Sequence, residues 1–350
     1  MDFFGVRLSF KRGILVVASL CILMVSCSTE IEINAPNQDV PIVYCILDTE
    51  DTVQYVRVQK TYLTQQTNIP PDRDSIYFPG DIVVALERWE NGKAAEVFAF
   101  EPYEQVKDSG FFPLESHVVF RTFARIRPAQ TYYLYIYIQN KESVLFAETR
   151  TVGNLNVVDP MSLEQRKISL NIGQNYICRW QSVQNAGIYQ VGVRFNYTET
   201  INGTAVQKSL DFPQPFTNPI SNVDYLTREI SGSRFFNILY ETLQPVDGVI
   251  REAGHIDFYI IGGGKEIKYY IESTQPTDGA LMEKPVFSNF SSGVGLFSSL
   301  ARVEINNLRL ASTTVDSLAY SKLTKHLGFL DHNGDRDSTN NPQTAGQYIP

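Results

Sequence analysis

The sequence predicts a mainly-β protein built from two antiparallel β-sandwich domains. Short apolar or alternating runs recur along most of the chain, separated by Gly, Asn and Pro turns. The 19 Tyr and 21 Phe residues are of a type enriched in strands. No amphipathic helix longer than two turns is indicated before residue 150, and a length of 350 residues fits two domains.

The N-terminus has the pattern of an export signal. Arg7, Lys11 and Arg12 precede an uninterrupted apolar run over residues 13–26. A basic segment followed by a short apolar run is typical of a secretory signal peptide, and this run is too short to span a bilayer. We therefore expect residues 1–26 to be removed as a lipoprotein signal peptide.

The apolar run ends at Ser26-Cys27, which predicts lipidation at Cys27. Lipoprotein processing needs a small residue directly before the Cys; diacylglycerol is attached to the thiol and the chain is then cut before it. Cys21 fits less well, because Leu20 precedes it and apolar sequence continues beyond it. An ordinary signal peptide with an incidental Cys is the alternative. Residues 27–39 are predicted to form a tether without Asp just after the Cys, which favours the outer membrane.

Composition and charge exclude several classes of protein. The chain is 43% hydrophobic and 19% charged, which excludes a wholly disordered chain and a polytopic membrane protein. Its net charge of −8 and pI near 5.2 argue against nucleic acid as a partner, because phosphate binding relies on Lys and Arg.

The first domain is predicted over residues 40–150. Pro41–Leu47 is a continuous apolar run of buried-strand length, and Val53–Val58 alternates. An exposed loop is expected at residues 64–74. In the run TYYLYIYI the Tyr face is expected to be half-buried at most. The further strands predicted here are Ile82–Leu86, Val97–Phe100, Val118–Phe123 and Tyr132–Ile138.

The second domain is predicted over residues 151–330, after a boundary marked by Gly153, Asn154 and Asp159-Pro160. A short helix is expected at Lys265–Ser273, a helical segment at Ser317–Leu327, and a polar flexible tail at 331–350. The predicted strands are Lys167–Leu170, Tyr176–Trp180, Tyr189–Tyr197, Arg234–Tyr240 and His255–Ile261.

Trp180 lies on an early strand of this second domain and is followed by a Tyr-led alternating strand. This arrangement resembles the core of fibronectin type III-like sandwiches. Any sandwich with one large core aromatic is the alternative.

The remaining cysteines, Cys45 and Cys178, both lie in apolar strand-like segments. A CxxC pair is absent from the sequence, which argues against a zinc site. We expect two small buried hydrophobes, with a disulfide as the alternative.

Two segments superficially suggest ligand binding. The segment from Asp331 spaces oxygen ligands like the start of a calcium loop, but its sixth and twelfth positions hold Arg336 and Pro342 instead of Gly and Glu, so a solvated tail is expected. The run Gly262-Gly263-Gly264 lacks the Lys-Ser/Thr of a P-loop, and a flexible strand-to-helix turn is expected.

Catalytic and metal-binding motifs are not found in the sequence. The four histidines, His117, His255, His326 and His332, are scattered, and His255 with Asp257 is expected to form a surface pair. We therefore predict no metal ligand, no cofactor and no catalytic residue. A hydrolase that uses dispersed carboxylates stays open, because sequence spacing does not reveal such pairs.

Three stretches together resemble a known family: PIVYCILDTEDTVQYVRVQKTYL (41–63), DSIYFPGDIVVAL (74–86) and PVFSNFSSGVGLFSS (285–299). Their order is similar to that in the Bacteroidota lipoprotein family labelled domain of unknown function 4249. Gly293 and Gly295 indicate a tight turn entering a strand whose Phe297 packs inward. The resemblance implies an outer-membrane lipoprotein whose gene adjoins that of a TonB-dependent receptor.

These observations predict a non-catalytic outer-membrane lipoprotein that acts as an accessory or ligand-handling partner of a TonB-dependent receptor. The alternative is a stand-alone surface module that binds glycans or peptides through exposed Tyr residues, Trp89 and the loop at 64–74. The ligand-binding residues and the side of the membrane that the protein faces are not indicated by the sequence.

Lipidation can be tested on the exported protein. We expect intact-mass spectrometry to find a diacylglyceryl adduct on Cys27, and Cys27→Ser to release the protein from membranes because its acyl anchor is lost. The matched control is Cys21→Ser, which should leave processing unchanged. A wild-type protein without an acyl adduct, or one secreted freely, would contradict the prediction.

Overall fold

The computed structural model describes residues 39–61, 76–105, 117–141, 143–161, 167–275 and 287–335. The described residues after Asp39 belong to one compact unit. Strands account for 55% of the structure and helices for 14%, so the mainly-β prediction is confirmed. The predicted signal peptide, Cys27, the loop at 64–74 and residues 336–350 lie outside the described residues.

Six of the first eight strands follow the alternating and apolar runs predicted from the sequence, whereas the strands at Glu101–Gln105 and Ser143–Arg150 were not predicted. Turns with positive φ separate some of them, as at Asn91-Gly92 between the third and fourth strands. The strands are β1 (Pro41–Asp48), β2 (Gln54–Lys60), β3 (Ile82–Glu90), β4 (Lys93–Ala99), β5 (Glu101–Gln105), β6 (His117–Thr122), β7 (Thr131–Ile138) and β8 (Ser143–Arg150), with a 3-10 turn at Gln139–Lys141.

The second half of the described chain adds eight strands and three α-helices. The strands are β9 (Val157–Asp159), β10 (Lys167–Ile168), β11 (Asn175–Gln181), β12 (Ala186–Ile201), β13 (Thr204–Pro213), β14 (Tyr225–Ser231), β15 (Ile250–Gly264) and β16 (Val294–Leu310). The helices are α1 (Gly232–Thr242), α2 (Lys265–Thr274) and α3 (Ser312–Tyr320), with a 3-10 turn at Lys325–Leu327. Within the described ranges, these helices are all too short or too polar to cross a membrane.

One long sheet runs through both halves of the chain. Its strand order is β13-β12-β15-β16-β1-β2-β6-β5, and β10 pairs with β16 beside this path. The neighbours are antiparallel except for β1 with β16 and β10 with β16, which are parallel. The parallel pairs differ from the all-antiparallel prediction, because pairing between strands so far apart in sequence leaves no local signal.

Two smaller sheets complete the two sandwiches. The four-stranded sheet β4-β3-β7-β8 shares a hydrophobic cluster with β1, β2, β6 and the start of β16. The three-stranded sheet β14-β11-β9 shares a second cluster with β12, β13 and β15, joined by side chains of α1 and α3. The sandwich prediction is therefore confirmed, with the addition that both sandwiches draw on one long sheet.

The two hydrophobic clusters divide the chain near residue 150, where the domain boundary was predicted. The first cluster extends from Val43 to Ala147 and adds Phe290 and Phe297, whereas the second begins at Val152. The long sheet nevertheless continues from one half to the other. The exact domain bounds stay a prediction.

Trp180 lies fully buried in the second cluster, as the sequence predicted. Its ring centroid is 5.7 Å from that of Tyr189, which is also fully buried. Aromatic pairs at this separation add to the stability gained from burial alone. The finer resemblance to a fibronectin type III domain stays a prediction.

The predicted strand Arg234–Tyr240 is wrong, because these residues lie in helix α1. Ser231 caps this helix by accepting a hydrogen bond from the Arg234 N–H at 3.3 Å. A short apolar run fits a strand or a buried helix equally well, so packing decides between them. The helix is buried through Gly232, Phe235, Phe236 and Leu239.

The glycine run at 262–264 is part of strand β15, so the predicted flexible turn is wrong. Gly262, Gly263 and Gly264 pair with Tyr189, Ile188 and Ala186 of β12. A Cβ atom at Gly264 would lie 2.5 Å from the Ser298 Oγ. Close packing between neighbouring strands therefore accounts for at least this glycine.

A buried ion pair joins β12 to β15. Arg251 is 2% exposed and donates to the Glu199 carboxylate, to which Lys208 also donates. The guanidinium also donates to the carbonyl oxygens of Gln244 and Leu327, so its N–H groups are used on three sides. These bonds compensate the desolvation of a buried charge and fix the chain after α3 against the long sheet.

Cys45 and Cys178 are free and buried, which confirms that they pack as small hydrophobes. Cys45 belongs to the first hydrophobic cluster and Cys178 to the second. Burial raises the pKa of Cys45 well above its ordinary value and that of Cys178 to about 12. Both side chains are therefore neutral thiols at physiological pH.

The parallel pairing of β16 with β1 depends on Gly295, which lies opposite Val43. Its φ is +149°, and a Cβ atom there would lie 1.8 Å from the Val43 carbonyl oxygen. Two residues further on, Phe297 is fully buried. The predicted turn at Gly293, with a φ of +81°, and the inward Phe297 are thus confirmed.

We expect Gly295→Ala to lower the free energy of unfolding by about 3 kcal/mol, because the added methyl group collides with backbone that cannot move without separating two strands. The matched control is Gly203→Ala at a hairpin turn, where φ is +81° and a Cβ atom would meet nothing within 4 Å. That change should cost only about 1 kcal/mol of backbone strain. Urea denaturation measures both, and equal midpoints for the two variants would refute the constraint at Gly295.

Candidate functional site

The outer side of the four-stranded sheet carries a row of aromatic side chains. Side chains alternate along β7, so that Tyr132, Leu134 and Ile136 are buried while the Tyr residues between them point away from the core. We call this surface the aromatic face and define it as Trp89, Tyr133, Tyr135, Tyr137 and Phe146.

The strand register brings these rings into contact. Tyr135 of β7 lies directly opposite Phe146 of β8, with ring centroids 6.4 Å apart. Tyr133 lies 6.3 Å from Tyr135 in a stacked arrangement and 4.9 Å from Trp89 of β3. Four rings therefore follow one another across three strands, and the sheet beneath them holds their positions.

Two carboxylates lie among the rings. Glu87 accepts a hydrogen bond from the Trp89 indole N–H at 2.8 Å, and Glu148 accepts one from the Tyr133 hydroxyl at 2.9 Å. The bond to Glu148 raises the pKa of Tyr133, so its hydroxyl stays protonated and continues to donate. Each carboxylate orients one ring and retains capacity to accept further hydrogen bonds.

Two rings of the aromatic face and three neighbouring valine side chains are exposed to solvent. Phe146 is 48% exposed and Tyr137 is 40% exposed. Val83, Val97 and Val144 project from β3, β4 and β8 and are more exposed still. An apolar area of this kind, rather than scattered single residues, is typical of a binding surface.

A polar hollow adjoins the aromatic face at β8. Its volume is about 410 Å³. Glu266 is fixed inside it by hydrogen bonds from the Thr149 and Ser298 hydroxyl groups, at 3.2 and 2.8 Å. The residues that line the hollow are Glu148, Thr149, Arg150, Asn185, Lys265 and Glu266. Because Glu148 lines the hollow and also accepts a hydrogen bond from Tyr133 of the aromatic face, one extended ligand can contact rings and charged groups together.

The structure places Trp89 on the aromatic face, whereas the loop at 64–74 that was predicted to act with it lies outside the described residues. Cys27, the predicted lipidation site, is also outside them. His255 and Asp257 were predicted to form a surface pair, but the Asp257 carboxylate accepts from the Asn196 amide and from the Asn307 backbone N–H. This carboxylate fixes neighbouring strands instead.

Phe146 and Glu148 are site residues that the sequence analysis missed. Strand β8 was not predicted, although Ser143–Arg150 alternates between apolar and polar residues for part of its length. That alternation was the available signal. The position of β8 beside β7 follows from a short connection between antiparallel neighbours, which favours a hairpin.

The chain was compared with protein-family models, curated proteins and solved structures. No family model matches the chain. No curated protein matches it either. Among solved structures, the chain is similar to a crystal structure of Dpr11 IG1 bound to DIP-gamma IG+IG2, with 8% sequence identity, a TM-score of 0.18, and coverage of 55% of this chain and 96% of that chain. A likeness this low carries no conclusion about fold or function.

Proposed function

We propose that this protein is a non-catalytic, lipid-anchored outer-membrane protein that acts as an accessory or ligand-handling partner of a TonB-dependent receptor. The aromatic face is its contact surface in this proposal. The observation that carries the proposal is the row of four contacting rings on an exposed sheet face.

The chemistry of the aromatic face suits a protein partner. Tyr, Trp and Phe are enriched at protein interfaces because they bury a large area while fixing few rotatable bonds. The rings here already contact one another, so binding orders little that is not ordered beforehand. The exposed valines extend the apolar area, and Glu87 and Glu148 supply polar contacts that select among partners.

The membrane part of the proposal rests on the sequence. A lipid anchor at Cys27 would hold the folded body at the outer membrane, where TonB-dependent receptors reside. The net charge of −8 supplies no attraction to anionic lipid, so the acyl chains would carry the attachment. The receptor itself is implied by the family resemblance.

A second candidate function is a stand-alone glycan-binding surface module. It is favoured by the carboxylates that lie beside the rings at Trp89 and Tyr133. The C–H groups on one side of a sugar can pack against an aromatic ring, while its hydroxyl groups donate to a nearby carboxylate. An extended face of several rings would then contact several sugar units.

The receptor proposal predicts copurification. After mild detergent solubilisation, the tagged protein should recover a TonB-dependent receptor, and the double change Trp89→Ala with Phe146→Ala should reduce that recovery at least about tenfold, because truncating a ring at the centre of an interface costs about 2 kcal/mol. The matched control is Tyr225→Ala, since Tyr225 is 54% exposed, close to the 48% of Phe146, but lies on β14 of another sheet. Recovery of a lone monomer from wild-type cells would contradict the proposal.

The glycan alternative predicts a different result. Wild-type protein should bind a subset of glycans on an array, and Trp89→Ala should abolish that binding because the stacking surface is lost. Tyr225→Ala again serves as the control, and it should bind as the wild type does. A blank array with the wild-type protein would exclude this alternative.

A further inference from the structure

Three side chains that can bind metal meet near the end of the described chain. One carboxylate oxygen each of Asp316 and Asp331 and one ring nitrogen of His332 lie within 4.8 Å of one another. The two carboxylates are buried, at 2% and 5% exposure. This cluster lies in the second half of the chain and shares no residue with the aromatic face.

Asp316 lies on the buried side of helix α3, together with Thr314 and Leu318. Its Oδ1 is 2.6 Å from the His332 Nδ1 and also accepts from the His332 backbone N–H at 3.2 Å. Its Oδ2 is buried, and no group in the described part of the chain donates a hydrogen bond to it. A buried carboxylate oxygen without a donor is costly and calls for an explanation.

Asp331 and His332 are held opposite α3 by the backbone of the long sheet. The Arg251 N–H donates to the Gly328 carbonyl, and the Leu330 N–H donates to the Arg251 carbonyl. The segment carrying both ligands is therefore fixed to β15. Asp331 is buried here, although the sequence analysis placed it in a flexible tail.

The orientation of the Asp331 carboxylate is fixed as well. Its Oδ1 accepts from the backbone N–H groups of Asn333 and Asp335, at 2.9 and 2.8 Å. Its Oδ2 accepts from the Tyr320 hydroxyl at 2.8 Å. Hydrogen bonds of this kind to ligand carboxylates are typical of the groups surrounding metal sites.

An ion pair between His332 and Asp316 does not account for the cluster by itself. A proton on the His332 ring would satisfy the Asp316 Oδ1, but it would leave the buried Asp316 Oδ2 without a partner. A divalent cation can bind an oxygen atom that this single proton does not reach.

We propose that Asp316, Asp331 and His332 bind a divalent transition-metal ion, with Zn²⁺ as the ion that the donor set fits best. Two carboxylates and an imidazole are oxygen and nitrogen donors that zinc accepts, with water able to complete four-coordination. Calcium takes six to eight oxygen ligands and is disfavoured by the imidazole. Zinc–ligand bonds of about 2.0–2.2 Å require the ligand atoms to lie within roughly 4 Å of one another. A small rotation of the exposed His332 side chain would bring the three ligand atoms, now within 4.8 Å, to that separation.

This proposal departs from the sequence-based prediction, which assigned no metal ligand. The ion would join helix α3 to the chain that follows the 3-10 turn at Lys325–Leu327. A groove of about 660 Å³, lined in part by Asp331 and His332, gives solvent access to the cluster. The ion would therefore act as a cross-link near the end of the fold that can be exchanged with solvent.

The test is zinc titration of the full-length chain, purified in detergent after chelator treatment, followed by isothermal titration calorimetry. We expect one zinc ion per chain and a rise in the thermal midpoint. His332→Gln should weaken binding about tenfold or more and abolish the rise, because the nitrogen ligand is lost while an exposed side chain is replaced. Asp316→Asn should weaken binding similarly.

The matched control is His326→Gln, because His326 packs on Tyr240 with ring centroids 5.5 Å apart and is not part of the cluster. It should bind zinc as the wild type does. The proposal is overturned if the wild type takes up no zinc, or if His332→Gln binds zinc as tightly as the wild type.

Discussion

The close parallel contact between β1 and β16 is the constraint on which the rest of the structure depends. At Gly295 the two backbones approach so closely that a methyl group would overlap a carbonyl oxygen. Because β16 also pairs with β15, this contact joins strands from both ends of the chain into one sheet. Each of the two smaller sheets then packs against part of this long sheet, and one hydrophobic cluster forms in each of the two sandwiches.

The position of the aromatic face follows from the packing of the four-stranded sheet against the long sheet. The four-stranded sheet buries Val84, Leu86 and the apolar side chains of β7 against β1 and β2, so its alternate residues must point outward. Ordinary sandwiches place polar residues there, whereas this chain places four contacting rings. The core therefore determines where the surface lies, and the outward residues determine what it can bind.

The sequence predicted the features that are local. The alternation of TYYLYIYI gave both strand β7 and its exposed Tyr side, and the apolar run at 41–47 gave β1. It did not predict the parallel pairing of β1 with β16, because no local pattern specifies a partner so distant in the chain. Arg234–Tyr240 was misassigned since its apolar run fits either structure. Asp316 and His332 meet only through tertiary packing, so neither stood out alone.

The reactivity of the two buried thiols can be used to follow local unfolding of the two hydrophobic clusters. Cys45 lies in one hydrophobic cluster and Cys178 in the other, and burial keeps both in the unreactive neutral form. Each becomes available to an alkylating reagent only when its own cluster opens. The order in which the two sulfur atoms are modified would therefore show whether the two hydrophobic clusters unfold locally together or one at a time.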